Sequence, residues 1–253
     1  MDALTPELVA VACAVALLAG LVKGLVGFAM PMILISGLSM MVPPDVALGW
    51  LILPTLVTNL WQALRQGAGA AWASVRRFRR FLLAGFVLMV FAAQLVTSIP
   101  SGVLFLVIGV PMTLYAGLTL AGRPLRLPSP PGARVEYGAG AVAGFFGGIS
   151  GVWGPPTVAL LTALDTEKSE HLRVQGVIYG AGAVVLMGAH LASGVLNAET
   201  FKVSALLVPP ALLGIWAGFA INDRIDQAAF RRLTLILLLL AGLNLLRRAL
   251  FAG

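Results

Sequence analysis

A lysine stands inside the first long apolar stretch of this chain. Lys23 is flanked on both sides by uncharged residues, in a run that begins near Leu8. A charged side chain costs roughly 2.5–3.5 kcal/mol in an apolar membrane helix, which makes it a candidate for function. The alternative is that the long side chain carries its ammonium group to a polar surface. Lys23 is therefore a candidate lining residue of a binding site.

Amide side chains lie at helical spacing inside two later apolar stretches. Asn59 and Gln62 are three residues apart and share one helix face, and Gln175 and Tyr179 are one turn apart. Such groups either donate hydrogen bonds to the oxygens of an anion or join neighbouring helices. Arg65 continues the face of Gln62, but its place at the edge of the stretch favours a topology anchor over a gate.

Titratable chemistry is sparse elsewhere in the apolar stretches. His190 is a candidate for proton coupling, with a packed, hydrogen-bonded histidine as the alternative. The aspartates and glutamates all fall at the ends of the stretches, so a carboxylate proton relay is not predicted. With one cysteine, Cys13, and no GxxxxGK[ST] motif, we predict no metal centre, no cofactor and no nucleotide site.

One motif, G-x-x-x-G-x-x-G-x-x-x-P, occurs at residues 20–31 and again at 144–155. Glycines at this spacing are typical of close helix packing. Proline cannot donate a backbone hydrogen bond and suits the first turn of a helix. Each copy thus predicts a helix that ends near Gly27 or Gly151, a bend, and a short helix that starts near Pro31 or Pro155.

The start of each short helix is a predicted anion site. The first amide groups of a helix lack intrahelical partners and lie at the positive end of its dipole. Broken helices of this kind bind anions in transporters. The predicted substrate-binding residues are Lys23, Gly27, Met30, Pro31, Met32, Asn59, Gln62, Ser150, Gly151, Trp153, Gly154, Pro155, Pro156, Thr157, Gln175 and Tyr179.

The elements that must position these residues are membrane helices. The 253 residues are 59% hydrophobic and 11% charged, against about 25% charged in soluble domains. The net charge of +7 is assigned to topology signals, and no nucleic acid is expected. The fold class is an all-α polytopic membrane protein with eight apolar segments: 7–41, 45–65, 80–97, 101–121, 136–164, 171–195, 201–221 and 229–250.

The repeated motif divides the chain into two homologous halves. They are predicted as residues 1–121 and 136–253, joined by a proline-rich linker over 122–135. If the first and fifth segments enter and leave on one side, thirteen basic residues lie on one membrane face and three on the other. The positive-inside rule prefers that arrangement, which makes the halves inverted repeats.

Through these two glycine-rich, proline-ended segments the chain resembles the sulfite exporter TauE/SafE family of bacterial membrane proteins. The resemblance implies a multi-pass carrier of the bacterial inner membrane for sulfite or an organosulfonate such as sulfoacetate. The implied partners are the anion and the lipid bilayer, and a homodimer is left open. Residues 28–30 and 152–153 are bulkier than the most glycine-dense versions of the motif. Export by alternating access is the predicted function, and import of another small anion is the alternative.

A membrane enzyme is the competing class. The run Gly-Ile-Ser-Gly at 148–151 and the run around His190 resemble two short motifs of rhomboid intramembrane proteases, in which a histidine activates a serine. Against this, Val26 stands in the first copy where Ser150 stands in the second, so the repeat explains the glycines without catalysis. A scaffold without transport is a third alternative, and it gives no reason for two broken helices. The chain is predicted not to be an enzyme.

Overall fold

A computed structural model describes residues 5–93, 101–128, 131–150 and 154–250. These residues form helices and no strand. The eleven described helices are α1 (Pro6–Val26), α2 (Met30–Leu38), α3 (Pro44–Leu64), α4 (Ala68–Arg77), α5 (Arg79–Ala93), α6 (Ser101–Leu120), α7 (Ala133–Ser150), α8 (Gly154–Ala163), α9 (Lys168–Ala192), α10 (Ala198–Arg224) and α11 (Gln227–Leu250).

Five of these helices (α1, α3, α9, α10 and α11) are long and apolar enough to cross a membrane. Large apolar side chains also face outward, among them Val90, Leu213 and Trp216, each at least 60% exposed. The predicted all-α membrane class is confirmed. Each of the eight predicted segments contains one helix or a broken pair, while the short helix α4 was not predicted. The number of crossings and the inversion of the halves stay predictions.

The chain forms two compact units. Unit 1 contains Met1–Ala71 and Leu172–Asp226, and unit 2 contains Trp72–His171 and Gln227–Gly253. Unit 1 therefore holds α1–α3, α10 and all of α9 after its first turn, and unit 2 holds α5–α8, α11, most of α4 and the first turn of α9. Each unit combines helices from both predicted halves. The two predicted repeats are defined by duplication in the sequence and not by compactness, so these units do not test them. The division into repeats stays a prediction.

In unit 1, α1 packs along α10 through glycines of the first motif copy. A Cβ atom at Gly20 would lie 3.0 Å from the amide nitrogen of Ile215, and one at Gly24 would lie 2.8 Å from Cα of Gly218. Both distances are too short for an added side chain beside backbone. The packing function of the two glycines is therefore observed directly.

In unit 2, α7 packs along α5 in the same manner. A Cβ atom at Gly144 would lie 2.7 Å from Cα of Gly85, and one at Gly140 would lie 2.8 Å from Cα of Phe81. Gly144 occupies the motif position that Gly20 occupies in the first copy. Each copy thus packs against a helix that the other half of the sequence supplies.

A serine of α10 completes the backbone of α3. Pro54 lies inside α3 and has no N–H to donate to the carbonyl of Trp50 four residues earlier. The buried Ser204 hydroxyl donates to that carbonyl at 2.8 Å and accepts from the amide of Leu53 at 3.0 Å. The serine thereby supplies the donor that the proline lacks, and its two bonds join α10 to α3, the helix that carries Asn59 and Gln62.

Candidate functional site

The first motif copy breaks the helix where the sequence predicts. Helix α1 ends at Val26, and Gly27 caps it with a φ of 86°, a left-handed conformation that suits glycine. Ala29 has a φ of 73° and precedes α2, whose second residue is Pro31. The left-handed conformation is costly for alanine, so strain is concentrated at this bend.

The start of α2 keeps amide groups available. The residue that precedes the helix, Ala29, makes no capping hydrogen bond with its side chain, and the amide of Ile33 donates to the carbonyl of Ala29 at 3.0 Å. The amides of Met30 and Met32 precede that bond and lie at the positive end of the helix. The start of α2 therefore has the donors that the sequence predicts at Met30–Met32.

The second copy is also divided, since α7 ends at Ser150 and α8 begins at Gly154. The predicted site residues Gly151 and Trp153 lie outside the described residues, as does the side chain of Ser150. In α8, Pro155 and Thr157 are buried, and Gly154 and Pro156 are partly buried. These α8 residues belong to unit 2, and their predicted function stays a prediction.

Lys23 is buried in unit 1, one turn before the end of α1. It is 1% exposed, and its Nζ donates to Oδ1 of Asn59 on α3. Within the described part of the chain, no carboxylate forms an ion pair with it. The ammonium group does not reach a polar surface, so the snorkelling alternative is wrong.

Gln62 ties three elements of unit 1 together. Its Nε2 donates to the carbonyl of Gly27 at 3.1 Å and to the carbonyl of Leu172, in α9, at 2.8 Å. Its Oε1 is buried and has no hydrogen bond. The amide of Gln62 therefore joins the bend to α9, as in the alternative that such amides connect neighbouring helices. Its Oε1 remains available as an acceptor.

Gln175 is fully buried against the bend. A Cβ atom at Gly27 would lie 2.8 Å from Cδ of Gln175, so the absence of a side chain makes room for this amide. Neither Nε2 nor Oε1 of Gln175 has a hydrogen-bond partner. A buried amide without partners costs about 1–3 kcal/mol, so its polar atoms favour a polar ligand.

The surroundings fix these side chains. Gly176 lets α9 approach α3 closely, since a Cβ atom there would lie 2.5 Å from the amide nitrogen of Ala63. Gly180, one turn later, lies beside Asn59. Sequence reasoning missed this function of the two glycines, although their spacing of four residues is a packing signal. The buried Met30 accepts a hydrogen bond from Thr58 through its sulfur.

The structure thus brings most of the predicted residues of the first copy into one unit. We call Lys23, Asn59, Gln62 and Gln175, with the bend at Gly27, the polar cluster. Tyr179 is buried on α9, and Pro31 and Met32 are partly buried in α2. His190 is partly buried, and its buried Nε2 has no partner. The polar cluster has one cationic group, several amides and no carboxylate, which suits an anion.

A multi-pass helical protein with a broken helix beside a buried cation has the features of a membrane transporter. The chain belongs to the sulfite exporter TauE/SafE family, whose sequence model matches residues 12–245. No curated protein and no solved structure matches the chain significantly. The family match spans nearly the whole chain, both motif copies included, and identifies a transporter of the sulfur-anion class.

Proposed function

We propose that this protein is a secondary transporter of sulfite or a short organosulfonate, and that the anion binds at the polar cluster of unit 1. The observation that carries the proposal is Lys23, a buried amine whose one hydrogen-bond partner among the described residues, Asn59, is neutral. An anion that binds beside Lys23 would supply the charge that the described residues do not provide.

The magnitudes favour a ligand over a purely structural lysine. A lysine at this depth costs roughly 2.5–3.5 kcal/mol on insertion scales. The negative end of the α1 dipole stabilises a cation in the last turn by about 0.3–1 kcal/mol. The hydrogen bond to Asn59 stabilises it by about 1.5–3 kcal/mol. Together they do little more than offset the cost, so a structural lysine would bring little net stability.

The remaining donors match the oxygens of a sulfonate. Gln175 has two N–H groups without acceptors, and the amides of Met30 and Met32 start α2. Hydrogen bonds from ionised or oriented donors to an anionic oxygen are among the strongest in proteins. Sulfite and sulfonates present three oxygens on one sulfur, which would engage Lys23, Gln175 and the start of α2.

Alternating access is the proposed mechanism, with the broken helices as the elements that change. No GxxxxGK[ST] motif for nucleotide binding occurs in the sequence, so an ion gradient, the membrane potential or a separate partner would drive transport. A negative-inside potential favours anion export by about 2.3 kcal/mol per charge per 100 mV. Proton coupling through His190 and binding at Ser150, Gly151, Trp153, Gly154, Pro155, Pro156 and Thr157 remain parts of this proposal. The bacterial inner membrane is its proposed location.

Thermal-shift binding with purified protein tests the proposal. Sulfite, sulfoacetate, taurine, sulfate and acetate are compared, and sulfite or sulfoacetate is expected to raise the midpoint of unfolding most. Lys23→Gln should weaken that binding by about 10–100-fold, the value of a charge-assisted hydrogen bond. Lys202→Gln, at a lysine side chain that is 73% exposed, is the matched control and should leave binding unchanged.

Two results would refute parts of the proposal. If neither sulfite nor any sulfonate stabilises the protein, the substrate class is wrong. If Lys23→Gln binds as tightly as wild type, the site is wrong and the substrate class survives. Counterflow in proteoliposomes then shows which anion is transported. Ser150→Ala should lower affinity at most in a transporter, whereas the protease alternative predicts that it abolishes turnover.

A further inference from the structure

A small polar cavity lies in unit 2, and none of its lining residues belongs to the polar cluster. It is lined by α8, the first turn of α9 and the first turns of α11, including Thr162, His171 and Thr234. The space available to a water-sized molecule is about 10 Å³. A cavity needs about that much volume to hold one water molecule.

Three buried polar atoms of this cavity lack hydrogen-bond partners. They are Oγ1 of Thr162, Nε2 of His171 and Oγ1 of Thr234. The side chains are at most 4% exposed. The Tyr115 hydroxyl donates to the carbonyl of Ala159 at 3.1 Å, and its oxygen can accept from the hydroxyl of Thr162, which leaves the Thr162 oxygen as an acceptor. Ordered water is the usual partner of such groups.

Gln227 and the ion pair of Asp165 with Arg231, which also line the cavity, already have partners. Gln227 donates to the carbonyl of Thr166 at 3.0 Å and accepts from the amide of Lys168 at 2.8 Å. Arg231 pairs with Asp165 at 2.6 Å. The cavity therefore offers a ligand two hydroxyls and one imidazole nitrogen, with no net charge from these three groups.

We propose that one buried water molecule occupies this cavity and bridges Thr162, His171 and Thr234. The water donates to Nε2 of a neutral His171 and to one threonine oxygen, and it accepts from the hydroxyl of the other threonine. Three hydrogen bonds are typical of a buried water, and they satisfy all three atoms at once. A cation is disfavoured, because hard cations select several oxygen ligands and at least one carboxylate.

The position of the water gives it a structural role at the chain crossings. His171 is the last residue of unit 2 before the chain enters unit 1, and Gln227 is the first residue after it returns. The water ties the first of these crossings to α8 and α11, and Gln227 ties the second to the backbone of the loop before α9. His171 and Gln227, the residues at the two crossings, are thereby hydrogen-bonded within unit 2.

Thr234→Val tests the proposal, because a bridging water and a dry cavity predict opposite signs. Valine keeps the shape of threonine and removes the hydroxyl. With a water present, the change removes the hydrogen bond between the water and residue 234, and it should lower the midpoint of thermal unfolding by about 2–4 °C. In a dry cavity it removes an unsatisfied hydroxyl and should raise the midpoint, which would overturn the proposal.

A double-mutant cycle tests whether the threonines share one water. Thr162→Val and Thr234→Val should be less than additive, whereas Thr162→Val and Thr234→Ser should be additive, since serine keeps the hydroxyl. Additive losses in the first cycle would overturn the shared water. Stability that rises with sodium chloride but not with choline chloride would replace the water with a cation. If Thr234→Val does not fold, Thr162→Val gives the same sign test.

Discussion

Removing the amide of Asn59 should destabilise the protein because it isolates the ammonium of Lys23. The Nζ of Lys23, 1% exposed, donates to Asn59 Oδ1. Asn59→Leu removes a hydrogen bond to a charged group, worth about 1.5–3 kcal/mol, and adds no new partner. At about 2–4 °C per kcal/mol for a chain of this size, the midpoint should fall by about 3–12 °C.

The same change should have little effect once the charge is gone. Lys23→Met relieves the roughly 2.5–3.5 kcal/mol cost of the charge and loses the bond to Asn59 and the interaction with the α1 dipole. These changes nearly cancel, so the single variant should stay within about 2 kcal/mol of wild type. In the double variant both partners are apolar, a replacement that is often nearly neutral.

Thermal unfolding of the four detergent-purified proteins, without any anion, measures this cycle. Asn59→Leu should be the least stable, and the double variant should recover most of its loss. Adding sulfite should stabilise wild type and leave Lys23→Met unchanged. If Asn59→Leu costs as much in the Lys23→Met background as in wild type, Asn59 is needed for helix packing and the buried charge is not the cause.

Three further variants probe the helices that hold the cluster, each measured by its midpoint of thermal unfolding. Gly24→Ala should cost about 1–3 kcal/mol because its Cβ would meet the backbone of α10, whereas Gly188→Ala, with open space, should be neutral or stabilising. Gly27→Ala should lower both stability and anion binding, since its Cβ would displace the buried amide of α9. The control Gly67→Ala is also at positive φ but in open space, so it should cost only about 1 kcal/mol and leave binding unchanged. Ser204→Ala should cost about 1–3 kcal/mol per backbone group that it leaves unpaired in α3.

The local features of the site could be predicted from the sequence because their causes are local. Gly27 followed by Pro31 dictates the end of one helix and the start of the next, and the structure has these bounds within one residue. Asn59 and Gln62 share a face because helical geometry alone fixes that spacing. The apolar composition likewise predicted helices that are long and apolar enough to cross a membrane.

The hydrogen-bond partners could not be predicted, because they are distant in the sequence. Gln62 bonds to the carbonyl of Leu172, 110 residues away, and Lys23 bonds to Asn59, 36 residues away. Ser204 was missed for the same reason, although Pro54 signals that a carbonyl in α3 needs a donor from elsewhere. A sequence shows that a polar group requires a partner and does not show which group supplies it.

The sequence by itself determined the class of protein, the repeated motif and the position of the first break. Only the tertiary structure decided that α10 packs on α1, that α5 packs on α7, and that the amide of Gln175 lies against Gly27. The physical reason is that a glycine stripe permits close approach by any helix with a matching surface. The partner is selected by the packing of the whole fold, in which each motif copy meets a helix from the other half of the chain.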